Sequence, residues 1–214
     1  MPRAAAAPDL FPEELCDVLD DRFEREVRAK GFRAITGLDE VGRGPLAGPV
    51  VAAAVILPEG YSHPHLNDSK KLTPERRREV RDHLLVTVGV IWAIGEASVE
   101  EIDTINILQA SLLAMRRACA KLSVTPDYLL IDGNRGLRGE TRERTLVRGD
   151  GRCQSIAAAS IIAKEHRDDM MVELAKTYPH YGLEQHKGYA TAVHRAAIKK
   201  HGLTPIHRRS FCCD

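Results

Sequence analysis

The chain has 214 residues, 43% hydrophobic and 29% charged, with a formal net charge of +1, an ordinary balance for one globular domain with a well-formed core. Its longest apolar run, "GPVVAAAVIL" at 48–57, reaches half of the roughly 20 residues that a membrane-crossing helix needs, so no membrane role is expected. The near-neutral sum hides a polarity: eight acids face two arginines between Asp9 and Glu26, whereas Gln185 to Cys213 holds no acid and six lysines or arginines.

The opening "MPRAAAAPDL" lacks the continuous apolar stretch of a secretory signal and reads as a tail. Residues 11–30 carry apolar positions at helical spacing and stop at Gly31, which predicts an acidic helix appended to the main domain. The expected division is thus 1–31 for tail and helix and 32–214 for the domain, whose last segment is basic and helical. "FRAITGLDEV", "PVVAAAVILPEG" and "LLVTVGVIWAIGEAS" at 84–98 read as three successive strands, an antiparallel meander. A charged helix starting at Thr73-Pro74-Glu75 lies between the second and third. Ser98 followed by Glu101 is a capping-box pattern that predicts a long helix to about Leu122. "DYLLID" at 127–132 and "RTLVRG" at 144–149 read as short buried strands, and the long helix before them implies a crossover to parallel pairing. Helices are expected over 153–178 and within "ATAVHRAAIKKHG". The sum is an α/β layered architecture, a mixed sheet flanked by helices.

Cys16, Cys119, Cys153, Cys212 and Cys213 are odd in number and lack C-x-x-C spacing, which suits a reduced, cytoplasmic setting, with Cys212 and Cys213 read as surface thiols. The ending "FCCD" carries no prenylation box. None of the nine histidines falls in a zinc motif, and no G-x-S-x-G elbow is present. Trp92 lies in a predicted strand and is expected in the core. "NDSKK" reads as a polar loop.

Strand ends display functional groups in such sheets, and three of them carry acids beside glycine: Asp39 and Glu40 in "GLDEVG", Asp132 in "IDGN" and Asp150 in "GDG". Gathered carboxylates repel unless a cation neutralises them, and an oxygen-only set points to Mg²⁺ or Mn²⁺ rather than zinc. Two such ions about 4 Å apart are a common device for in-line displacement at a phosphodiester. Singly, Asp132 and Asp150 are more often turn formers than ligands. Asp39 and Glu40 converge only if the glycine turn bends the strand, because adjacent strand residues face opposite sides. In that bend, Gly42 and Gly44 leave backbone N–H groups open to a phosphate or sugar hydroxyl, and Arg43 can reach a phosphate. A plain hairpin explains the glycines as well. Ser160 and Lys164, four apart on a helix near Asp150, share a face that can touch substrate phosphate, and helix packing explains them nearly as well. Lys187, Arg195, Lys199, Lys200, Arg208 and Arg209 offer further phosphate contacts, with Tyr189 as an aromatic surface among them.

Taken in order from about Ala34 to Phe211, "GLDEVGRGPLAGPVVAAAVIL", "NDSKKL", "IDTINILQAS", "LLIDGN", "RGDGRCQSIAAASIIAKEHRD", "HKGYAT" and "PIHRRSF" resemble ribonuclease HII, the type 2 ribonuclease H family. The resemblance implies a ribonuclease H-like fold with a mixed five-stranded sheet. It also implies metal-dependent cleavage of RNA paired to DNA, single ribonucleotides in duplex DNA included, leaving 3′-hydroxyl and 5′-phosphate ends. Asp39, Glu40, Asp132 and Asp150 are then the catalytic, Mn²⁺- or Mg²⁺-binding acids. Gly42, Arg43 and Gly44 contact the ribonucleotide's 2′-hydroxyl, and Tyr189 packs on the following deoxyribose. A cytoplasmic monomer acting on RNA–DNA hybrids and ribonucleotide-containing DNA is the matching expectation. Two positions depart from an equally familiar pattern, Arg148 before Gly149 and Cys153, and neither removes a carboxylate. Two rivals stay open at this level: a recombination nuclease or transposase of the same fold acting on all-DNA substrates, and a non-catalytic module using the basic tail.

Overall fold

The computed structural model describes residues 18–212; the tail, the first part of the helix expected over 11–30, Cys16 and Cys213 fall outside them. Five strands, β1 (Ile35–Val41), β2 (Val50–Ile56), β3 (Ile91–Ala97), β4 (Tyr128–Asp132) and β5 (Arg142–Leu146), form one mixed sheet in the order β3-β2-β1-β4-β5. β1, β2 and β3 are the expected antiparallel meander. β4 lies parallel to both β1 and β5, as a helical crossover requires.

Six α-helices and three short 3₁₀ turns complete the described chain: α1 (Arg22–Ala29), α2 (Pro74–Val86), α3 (Val99–Lys121), α4 (Gln154–Thr177), α5 (Leu183–His186) and α6 (Ala192–His201). The sheet is covered on both faces, which is why β2 reads as an unbroken apolar run. Its Val51, Ala53 and Val55 pack with Val80 and Leu84 of α2 and Ala157 to Ala163 of α4. Its Val50, Ala52 and Ala54 pack with Ala110, Ala114 and Ala118 of α3. Contact at two points is closer than side chains allow. A Cβ at Gly37 of β1 would collide with the main chain of Ser155 in α4, and one at Gly95 of β3 with the carbonyl of Ala114 in α3.

Helix starts follow their capping residues. Thr73 accepts from the Arg76 amide at 3.4 Å. Ser98 and Glu101 form the full capping box, at 3.2 Å and 2.9 Å. α4 has no cap of its own. Its first turn is held instead by Glu24 of α1, whose Oε1 accepts from the Ser155 amide at 2.7 Å and from the Cys153 thiol at 3.1 Å. Phe23 and Val27 of α1 share a core cluster with Ile35, Leu130, Leu146 and Ile156.

Several expectations are corrected. Leu84 to Val86 belong to α2, not to the third strand, because Leu84 falls on the same helix face as buried Val80 one turn earlier. Trp92 is 39% exposed rather than core: β3 is a sheet edge, and its alternation turns Ala93, Gly95 and Ala97 inward and Trp92 outward. The last strand begins at Arg142, two residues earlier than read. α3 is broken at Asn106 (φ 68°, ψ 163°), whose Oδ1 accepts from the Leu108 and Gln109 amides at 3.0 and 3.2 Å and so restarts the helix. Cys153 is a buried free thiol, and burial with the neighbouring Glu24 pushes its pKa well up. Among the described residues, no helix is long and apolar enough to cross a membrane.

Candidate active site

Because β4 runs parallel to β1 and β5, the C-terminal ends of all three strands meet at one sheet edge, and that is where the acids lie. Asp39 and Glu40 sit near the end of β1, and Asp132 ends β4. After β5, Arg148 adopts a left-handed conformation (φ 55°) and turns the chain into a short 3₁₀ segment, Gly149–Gly151, which presents Asp150. The Gly149 amide donates to Asp132 Oδ1 at 2.7 Å, tying that turn to β4. An added Cβ at Gly149 would lie 2.7 Å from Ile156 Cδ1 and 3.3 Å from Asp132 Oδ1, so a larger residue there requires the Ile156 side chain to move.

The four carboxylates act on one another. Burial first, then the charges of Asp132, Glu40 and Asp150, drive the Asp39 pKa well above its ordinary value, against a hydrogen bond from the Ser160 hydroxyl. Burial likewise raises Glu40, with Asp132 adding to it and Arg43 opposing. Asp132 is raised by burial and by Asp150. Two cations hold the rim: Arg43 Nη1 is 3.1 Å from Glu40 Oε1, and Lys70 Nζ is 2.7 Å from Asp150 Oδ2. Burial works against the Lys70 charge, but Asp150, Asp39 and Asp68 outweigh it and raise its pKa.

This donor set fits a divalent cation: it is all oxygen, it is repelled within itself, and it is short of positive charge. It is not a finished cage. Among the described residues no three Asp, Glu, His or Cys side chains are gathered on one point; Asp150 is engaged by Lys70 and Glu40 by Arg43.

Beside the acids the glycine bend is riveted by two buried arginines. Arg208 donates to the carbonyls of Gly42 (2.6 Å), Arg43 (3.1 Å), Gly48 (2.7 and 2.9 Å) and Pro49 (3.2 Å). Arg167 donates to Pro49 (3.1 Å), Ala47 (3.0 Å) and Lys187 (3.0 Å). Gly42 has φ +92°, and a Cβ there would run into the Arg167 guanidinium. Arg208 is therefore no phosphate contact: the tail folds back over the bend, with its amide donating to Leu46 at 2.8 Å, and nothing of its side chain is exposed. Arg167 went unremarked in the sequence, although it lies on the buried stripe Ala163, Arg167, Met171, Ala175 of α4, where a lone charge signals a structural anchor.

Of the expected substrate residues, Gly42, Arg43, Gly44 and Tyr189 come together. The Tyr189 ring is half-exposed, and its Cε1 lies 3.9 Å from the place of a Gly44 Cβ; the Leu46 amide donates to Gly188 at 2.8 Å. Lys187 adjoins them through its carbonyl on Arg167, with its ammonium on the Glu184 carbonyl. Ser160 is not an open phosphate contact. It is buried beneath Asp39 and meets Ser69 Oγ at 2.9 Å. Lys164 is paired with Asp168 of its own helix at 2.6 and 2.7 Å. The loop read only as polar supplies both Ser69, buried under the site, and Lys70 on Asp150.

A model of the family described as ribonuclease HII matches residues 36–213. A ribonuclease HII of Chlamydia caviae is 56% identical over 189 residues, 88% of this chain and 89% of that one. Among solved structures, ribonuclease H2 of Pyrococcus horikoshii superposes with a TM-score of 0.68 at 25% identity, covering 82% of this chain and 92% of its own. Bst-RNase HIII in complex with Mn²⁺ shares the fold at a TM-score of 0.62 and 22% identity, over 83% of this chain and 67% of that one. With sequence, topology and the strand-end acids in agreement, this chain belongs to the ribonuclease HII family and is a divalent-metal-dependent ribonuclease H, a hydrolase acting on phosphodiester bonds.

Proposed function

We propose that the chain cleaves the RNA strand of RNA–DNA hybrids and also cuts at single ribonucleotides embedded in duplex DNA, leaving 3′-hydroxyl and 5′-phosphate ends and serving ribonucleotide removal during replication and repair. The observation that carries this reading is the Tyr189 ring beside Gly44, on the bend that leaves β1 directly after Asp39 and Glu40. An aromatic face and open main chain next to repelled carboxylates suit a sugar whose 2′-hydroxyl is to be read at the point of cleavage.

In this reading Asp39, Glu40, Asp132 and Asp150 hold Mg²⁺ or Mn²⁺, the latter supported by the Mn²⁺ in Bst-RNase HIII. Such an ion supplies Lewis acidity toward the scissile phosphodiester. The main chain at Gly42 and Gly44 takes the 2′-hydroxyl, and Arg43 exchanges its contact with Glu40 for one with phosphate. Tyr189 packs on the deoxyribose that follows, so a second ribose is disfavoured there. Lys187, Arg195, Lys199 and Lys200 contribute charge along the strand, in a protein acting as a cytoplasmic monomer.

The test is cleavage of three duplexes, all-DNA, DNA with one ribonucleotide, and continuous hybrid, with Mn²⁺ and with chelator. Cutting of the second and third, abolished by chelator and by Asp132→Asn or Asp150→Asn, is expected. Equal cutting of all-DNA duplex, or wild-type rates in both variants, overturns the reading.

A further inference from the structure

Behind Tyr189 the acid-free tail folds two of its histidines into a buried chain. His194, in the first turn of α6, and His207, in the loop after it, are both closed to solvent, and their Nε2 atoms are 3.1 Å apart. The partners of the other ring nitrogens fix where the protons are. His194 Nδ1 is 3.0 Å from the Tyr189 carbonyl oxygen, which can only accept, so this nitrogen carries a hydrogen. His207 Nδ1 accepts from the Thr204 amide at 3.0 Å, so this nitrogen carries none. One hydrogen is left for the gap between the rings, and it belongs to His207 Nε2, donating to His194 Nε2. The relay therefore runs one way, from the Thr204 N–H through His207 and His194 to the Tyr189 carbonyl.

A further proton on either ring sets N–H against N–H. On His194 it opposes the His207 donor; on His207 it opposes the Thr204 amide, leaving only the Thr204 hydroxyl, 2.8 Å away, to accept it. The wider surroundings supply no compensating negative charge. From α5 the His186 ring stacks on His194 at 4.5 Å. The Tyr181 ring stands 6.5 Å from His194 and 4.9 Å from His207, with His201 6.1 Å beyond it. Arg195 adjoins His194 on α6, Arg208 follows His207, and α4 brings Arg167, Met171 and Ala175 to this side. None of these is an acid. Burial lowers the pKa of both rings, that of His207 to about 4.

The same strip is tied to the glycine bend, because His207 bridges Ala47 through its backbone and the Gly188 carbonyl accepts from Leu46. We propose that the neutral His207–His194 relay is a positioning element for Tyr189, holding its carbonyl, and so its ring beside Gly44, in the place that reads the ribonucleotide junction. This rests on the role given to Tyr189 above.

The test uses the full chain and DNA with one embedded ribonucleotide. His207→Leu keeps the bulk and removes the relay; His207→Gln keeps a donor for His194. In His207→Leu, KM is expected to rise about tenfold with kcat nearly unchanged, and His207→Gln recovers most of the loss. Imidazole ¹⁵N resonances of the wild type are expected to show the Nδ1–H tautomer at His194 and the Nε2–H tautomer at His207, with His207 titrating near pH 4. The opposite tautomers, a titration near the ordinary 6.5, or a fall in kcat alone overturns the proposal. If His207→Leu does not fold, the tautomers and the Gln variant decide. Tyr189→Ala separates the two layers: an unchanged KM there refutes the role of Tyr189, whereas a raised KM there with a normal one in His207→Leu refutes the relay alone.

Discussion

Lys70 Nζ lies 2.7 Å from Asp150 Oδ2, so a cation from the chain itself already occupies one side of the acid cluster. A divalent ion drawn to these carboxylates has to share or displace that contact. Lys70→Met is expected to bind Mn²⁺ about three- to tenfold more tightly, a modest figure because the ammonium is largely exposed and screened. Calorimetric titration of Mn²⁺ into the metal-free protein checks this without reference to turnover, and an unchanged affinity places Lys70 outside the field of the ion.

The raised Asp39 implies a stability penalty. An acid whose folded pKa lies above its ordinary 3.8 favours unfolding once pH exceeds that folded value, and the penalty fades as pH falls toward 3.8. Asp39→Asn keeps an oxygen acceptor for the Glu40 amide and removes the repulsion. It is expected to abolish cleavage while stabilising the metal-free chain by about 1 kcal/mol, a rise in Tm of about 3 °C. His207 has the opposite sign: its folded pKa is depressed, so its stability is whole above the ordinary 6.5 and is lost as pH falls toward about 4. Scanning calorimetry from pH 4 to pH 8 is expected to show a flatter neutral limb in Asp39→Asn and a flatter acidic limb in His207→Gln.

Arg208 satisfies four carbonyls of the glycine bend from a fully buried position. A lysine keeps the charge but cannot reproduce the planar fork. Arg208→Lys is expected to lower stability by about 2–4 kcal/mol, from stranded carbonyls and a poorly solvated ammonium. Urea denaturation measures the loss, and a change below about 0.5 kcal/mol means that water replaces the fork.

Glu24 reaches from α1 to the uncapped start of α4, where its carboxylate meets the Ser155 amide and the positive end of the helix. Glu24→Ala is expected to cost about 1–3 kcal/mol, and Glu24→Gln less than half of that. Because this end of α4 follows the Asp150 turn, the Ala variant is also expected to weaken Mn²⁺ binding; full affinity in an Ala variant that is destabilised separates the cap from the site.

The fold was legible where local rules act alone. Thr73, Ser98 and Glu101 mark their helix starts, and the two-sided burial of β2 is written in its run of valine and alanine. The acids were legible because glycine beside a strand-end carboxylate is a local pattern. What could not be read depends on contacts between segments far apart in the chain. Arg208 looks like a phosphate ligand until the tail folds 160 residues back onto Gly48. Ser160 looks available until Asp39 and Ser69 close over it. Lys70 belongs to an unremarkable polar loop until that loop crosses to Asp150, 80 residues away. Trp92 looked like core because strand residues are only half-determined by sequence: which side faces inward is set by the neighbouring layer.

Gly37 and Gly95 set α4 and α3 directly onto the strand backbones. The separation between the β1 acids and the Asp150 turn at the head of α4 is therefore dictated by main-chain thickness, not by the bulk of any interleaved side chain. Elsewhere in the interior, swaps among valine, leucine and isoleucine can drift without retuning the spacing of the carboxylates. An alanine at Gly37 would instead wedge the layers apart and spread the acids at a stroke.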